Sequence, residues 1–169
     1  MIVILEKLLD RFQHISDYAE TKLAMIIAFN SAVIFGLLAI FSDQCKPIKI
    51  VIFIIVLLNI SSVISAFLGL FAKISNHHVS SKKEALRNYY YFKYVAHLSE
   101  KELLDGIREN YDHKSENELM EQDLANQIII LAKIASKKFH YFNVAMYFTI
   151  AAITTPIGLG LFCLIKKRI

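Results

Sequence analysis

Three stretches of the chain, residues 23–42, 50–72 and 139–165, contain no Asp, Glu, Lys or Arg. Each reaches the ~20 residues that a helix needs to cross ~30 Å of hydrocarbon. A soluble helix of that length carries a charged face toward water, and these three carry none. The pattern predicts an all-α membrane protein with three transmembrane helices. Charged residues make up only 20 % of the 169, and they are gathered before and between the apolar runs. That blockwise arrangement excludes a disordered or collagen-like chain, and two cysteines cannot build a disulfide scaffold.

Four segments follow: an amphipathic helix over 1–22, a transmembrane hairpin over 23–72, a helical cytoplasmic segment over 73–138, and a third span with a short tail over 139–169. In the first segment Leu5, Leu8, Leu9, Phe12, Ile15 and Ala19 recur at three-to-four spacing, and no Gly or Pro intervenes before Gly36. One helix is therefore expected to run from cytoplasm into bilayer. Glu6, Asp10, Asp17 and Glu20 before the first span, with no small-residue cleavage site after it, argue against a signal peptide. In the central segment Ser81 with Glu84, Ser99 with Glu102 and Ser115 with Glu118 have capping-box spacing, which places helices over 82–97, 100–110 and from 116 onward. Because Gly and Pro are again absent from Ser115 to Thr155, the last helix is also expected to join cytoplasm to bilayer and to transmit force between them.

Of the nineteen Lys and Arg, fourteen lie before the first span or in 73–138, and five lie in the 42–49 loop or the tail Lys166, Lys167, Arg168. The positive-inside rule then puts the N-terminus and central segment in the cytoplasm, as in a multi-pass protein of a bacterial inner membrane. The basic tail is the discordant element, and a re-entrant last span turning at Pro156, Gly158 and Gly160 would return it to the cytoplasm.

No constellation for catalysis, metal or cofactor is expected. His77 with His78, and Asp112 with His113, are adjacent and lack the i, i+4 spacing of a helical metal pair. Cys45 and Cys163 lie at the outer ends of their helices, where an oxidising compartment permits a disulfide, and away from every cytoplasmic His. Asp105 with Glu102 and Glu109 reads as a solvated helix face. Two patterns carry more. Ala24, Ala28, Ala32 and Gly36, and then Ser61, Ser65 and Gly69, recur every fourth residue and allow helices to approach closely, within the hairpin or between subunits of a homo-oligomer. Asn30, Asn59, Ser62, Thr149, Thr154 and Thr155 add polar groups at membrane depth, suited to interhelical hydrogen bonds or a wet lumen. The second pattern is the run from Arg87 to Tyr94, where Arg87 and Lys93 can pair with a phosphate and Tyr90 and Tyr91 can stack on a ring. The same run also suits an aromatic helix packed on its neighbours. Arg108, Lys133 and Lys137 are the next cations to consider. No DNA or RNA is expected as a partner.

The acidic-x-Lys approach to the first span (Glu20, Lys22), the block Tyr91, Phe92, Leu98, Ser99, and the block Asn126, Gln127, Ile128, Lys138, Phe139 resemble the transmembrane effectors of Pycsar, the bacterial pyrimidine cyclase system of antiphage defence. The resemblance covers nearly the whole chain. It implies an effector that senses cyclic CMP or cyclic UMP made on infection and damages the inner membrane, so that the infected cell stops supporting phage. Two other readings of the residues remain: a membrane-anchored adaptor whose cytoplasmic helices bind a protein, and a holin-like toxin that needs no ligand.

Overall fold

The computed structural model describes residues 1–42, 46–72, 88–111 and 118–168, with Tyr111 and the last ten by backbone alone. All regular structure among them is helical: α1 (Ile2–Phe41), α2 (Lys46–Leu70), α3 (Phe92–Val95), α4 (Glu100–Tyr111) and α5 (Glu118–Arg168). The chain divides into two compact units, one of Met1–Glu20 with Ala72–Phe139 and one of Thr21–Phe71 with His140–Ile169.

In the first unit the apolar stripe of α1 faces inward. Leu5, Leu8 and Phe12 are fully buried against Val95, Leu103, Ile107, Ala125, Ile128 and Ala132 from α3, α4 and α5, each large side chain contributing about 1.5–3 kcal/mol on burial. The polar residues of the same α1 segment, Glu6, Asp10, Gln13 and Asp17, are exposed, as the periodicity predicts. Helix α4 begins with the expected capping box. The Ser99 N–H and hydroxyl both reach the Glu102 carboxylate, at 2.8 and 2.9 Å, and the Glu102 N–H donates to Ser99 Oγ at 3.3 Å. The boxes at Ser81 and Ser115 lie outside the described residues.

The expected helix over 82–97 is not what the sequence forms where it is described. Asn88 Oδ1 accepts the Tyr90 N–H at 2.9 Å, and the Asn88 carbonyl accepts the Tyr91 N–H at 3.1 Å. This Asx turn competes with helix, and Tyr91 leaves it extended, at φ −99° and ψ 110°. Only the single turn of α3 follows.

The second unit is built differently. Its interior mixes apolar Leu23, Ile26, Ile52 and Ile55 with small or polar residues, Asn30, Asn59, Ser62, Ala66, Ala145, Thr149 and Ala152. Its outward faces are large and apolar: Phe35, Phe53, Ile64, Phe67, Phe71, Tyr147 and Ile157 are all exposed. Helices α1 and α2 each contain a stretch long and apolar enough to cross a membrane, with only 17 % and 33 % of those stretches buried. A core helix of a water-soluble protein would be mostly buried there, so the exposed apolar faces fit lipid. The backbone of α5 stays helical through Pro156, Gly158 and Gly160, so the chain does not turn back at these residues.

Candidate functional site

The Asn88 turn separates the tyrosines that follow it. Tyr89 points inward, 8 % exposed, edge-on to Tyr94 with ring centres 5.7 Å apart, and its phenol lies over Gly106 so closely that no Cβ fits there. Tyr90 and Tyr91 point outward, 41 % and 43 % exposed. The guanidinium of Arg11, on α1, sits over the Tyr90 ring at 5.6 Å. Tyr91 leans on Phe92 at 5.5 Å, and Phe92 packs on Phe139 of α5 at 5.3 Å. Lys93 is exposed in the one turn of α3.

Of the expected ligand-binding set, Tyr90, Tyr91 and Lys93 thus lie on the surface of one short segment, while Arg87 lies outside the described residues. The helix expected to carry these residues is absent at residues 88–91, which are not helical. The cation that the fold does bring to Tyr90 is Arg11, from the other end of the sequence. Nothing in the sequence marked it out from the other polar residues of an amphipathic helix. Arg108 is already engaged, 3.2 Å from the fully buried Glu121 carboxylate and 3.8 Å from Asp105, whereas Lys133 is exposed.

The small-residue stripes separate as well. Ala24, Ala28, Ala32 and Gly36 are exposed on α1, and a Cβ built at Gly36 meets nothing within 4 Å. On α2, Ser61 and Ser65 are half-buried and bond to the carbonyls of Leu57 and Ser61, while Gly69 is buried where a Cβ would come within 2.9 Å of Tyr141 and 3.0 Å of Leu23. The seam between the helices of this unit is therefore made by other α1 residues, Leu23, Ile26 and Asn30. At its centre Asn30 Nδ2 donates to Thr149 Oγ1 at 3.0 Å and Ser62 Oγ at 3.2 Å, and Ser62 Oγ donates to the Ala145 carbonyl at 2.8 Å. Three helices are joined there by polar side chains within apolar surroundings, the interhelical hydrogen bonding expected of these residues.

Residues from all three sequence blocks that carried the resemblance meet partners in the structure. Glu20 pairs with Lys138, Phe92 stacks with Phe139, Ser99 caps α4, and Lys22 lies 5.1 Å over the Phe142 ring. A family model described as the Pycsar effector protein domain matches residues 4–165. The chain belongs to the Pycsar effector family. No curated protein and no solved structure matches the chain. Membership in this effector family, which is not a known enzyme family, supports an antiphage role, and the two apolar helices support a place in a membrane.

Proposed function

We propose that this Pycsar effector responds to a cyclic pyrimidine nucleotide, cyclic CMP or cyclic UMP, by breaking the integrity of the bacterial inner membrane, with arrest or death of the infected cell. The first unit is the cytoplasmic sensor and the second is the membrane part, with α5 supplying a third span and the N-terminus inside. The exposed apolar surface of the second unit carries the membrane half of this reading: Phe35, Phe53, Ile64, Phe67 and Ile157 face outward while the polar Asn30, Asn59, Ser62 and Thr149 are buried. The fourteen-to-five distribution of Lys and Arg supports the orientation. The exposed Ala24–Gly36 stripe supports assembly into a homo-oligomer, since those small residues are left free to meet a second copy. Tyr90, Tyr91, Lys93 and Arg87 supply the stacking and phosphate-pairing chemistry a cyclic nucleotide needs.

The test is a thermal-shift panel on the detergent-purified chain with cyclic CMP, cyclic UMP, cyclic AMP and cyclic dinucleotides. A ligand that binds only the folded state raises the melting temperature, by about 2.7 kcal/mol of stability at a hundredfold excess over Kd. The expected result is a rise with cyclic CMP or cyclic UMP alone. No rise with any of them would leave an adaptor or a ligand-independent toxin, and membrane leakage would separate those two.

A further inference from the structure

Residues that can hold an anion bearing a flat ring need a cation with unused donors beside an accessible aromatic face. Arg11 and Tyr90 put these side by side. Arg11 is exposed on α1, its guanidinium carbon lies 5.6 Å from the centre of the exposed Tyr90 ring, and it makes no ion pair with any described residue, whereas its neighbour Asp10 reaches His14 at 3.5 Å. A guanidinium held near a ring by cation–π attraction spends none of its N–H donors in an ion pair, and those donors can grip a phosphate in a fork. The attraction to the ring also restricts the side chain, so less rotamer freedom remains to be lost when an anion arrives. Lys7, one turn earlier on the same helix face, is exposed and adds a second positive charge. Tyr91, exposed beside Tyr90 and backed by Phe92, offers a second ring.

We propose that Arg11 is the phosphate-binding cation of the nucleotide site, with Tyr90 holding it in place and Tyr90 or Tyr91 stacking on the base. The proposal rests on the nucleotide-sensing reading above and names a residue for it. It has two consequences. One chain supplies both the cation and the ring, so binding does not need a second subunit. Arg11 also belongs to α1, which is one helix from Ile2 to Phe41 and contains the first candidate span, so the ligand bridges that helix to the Asn88 turn.

The experiment is calorimetric titration of the full-length protein in detergent with cyclic CMP and cyclic UMP, and with the uncharged nucleosides cytidine and uridine, on wild type, Arg11→Ala, Arg11→Lys and Lys101→Ala. Wild type binds the cyclic nucleotide more tightly than its nucleoside. Arg11→Ala weakens the cyclic nucleotide about tenfold or more, the consequence of losing a charge-assisted contact, while nucleoside affinity changes little. Arg11→Lys lies between, because it keeps the charge and loses the planar fork, and Lys101→Ala matches wild type. An Arg11 with a purely structural role would weaken both ligands together and leave their ratio intact, which overturns the proposal. If Arg11→Ala binds cyclic nucleotide as wild type does, Arg11 is not in the site although the sensing reading stands. If wild type binds neither cyclic nucleotide, both fall.

Discussion

Lys138 on α5 buries its ammonium against the carboxylate of Glu20 and the hydroxyl of Ser16, both on α1 and one turn apart. The two charged partners stand 118 residues apart in sequence, and each belongs to one of the short blocks by which the chain resembles its family. Their environments differ: the Lys138 side chain is 6 % exposed and that of Glu20 51 %. Removing either partner therefore has unequal consequences. Glu20→Ala strands a buried ammonium with one neutral acceptor and should cost about 2–3 kcal/mol. Lys138→Met leaves a carboxylate that water can solvate, and should cost about 1 kcal/mol or less. Thermal unfolding of the two variants in detergent checks the order, and equal losses would mean that Lys138 regains water when Glu20 is gone.

The polar junction at Asn30 makes a second prediction. Its Nδ2 has three acceptors within reach for two N–H groups: Thr149 Oγ1, Ser62 Oγ and, at 2.8 Å on its own helix, the Ile26 carbonyl. Hydrogen bonds between membrane helices are worth about 0.6 kcal/mol on average and about 1.7 at most. Asn30→Ala should therefore cost about 1–2 kcal/mol, and Ser62→Ala or Thr149→Val less. Because all three share one network, the triple variant should lose less than the summed single losses. Strict additivity, measured by unfolding in detergent, would show that the three bonds act separately.

Gly106 is buried under the phenol of Tyr89, and an added methyl group would overlap the ring. Gly106→Ala should destabilise the first unit by about 1–3 kcal/mol, the usual cost of overpacking a core. Shortening the partner in Gly106→Ala, Tyr89→Leu should recover part of that loss. Gly36→Ala, with open space around it, should be neutral or slightly stabilising through helix propensity. Comparison of melting temperatures decides, and a Gly106→Ala variant as stable as wild type would show that Tyr89 moves aside at no cost.

The exposed stripe on α1 is the place to test assembly. Ala28 is exposed within one chain, so Ala28→Leu alters no packing inside it and should leave helix content and melting temperature unchanged. If two copies meet along the stripe, the added bulk separates their backbones, and cross-linked oligomers in membranes should be lost. Cross-linking equal to wild type would place this face against lipid.

Much of the architecture is legible in the sequence because it follows from local rules. The long α1 follows from its apolar period and the absence of Gly and Pro before Gly36, and the start of α4 follows from Ser99 and Glu102 three residues apart. The Asn88 turn was hidden among aromatic residues that fit a helix or a turn, and one side-chain acceptor decided the matter. The small-residue stripes are visible by spacing, yet spacing does not say which face meets which helix. The pairing of Glu20 with Lys138 and the approach of Arg11 to Tyr90 depend on tertiary packing, for which a single sequence gives no signal.

The central step is that a cyclic pyrimidine nucleotide makes this chain permeabilise a bilayer. The measurement is dye release from vesicles of phosphatidylethanolamine with phosphatidylglycerol carrying the reconstituted full-length protein. Cyclic CMP or cyclic UMP added to vesicles with the first unit facing outward should release dye, while cyclic AMP and buffer leave it enclosed. Release without any nucleotide would make the chain a ligand-independent toxin, and retention of dye with every nucleotide, in vesicles shown to hold the folded protein, would contradict the account.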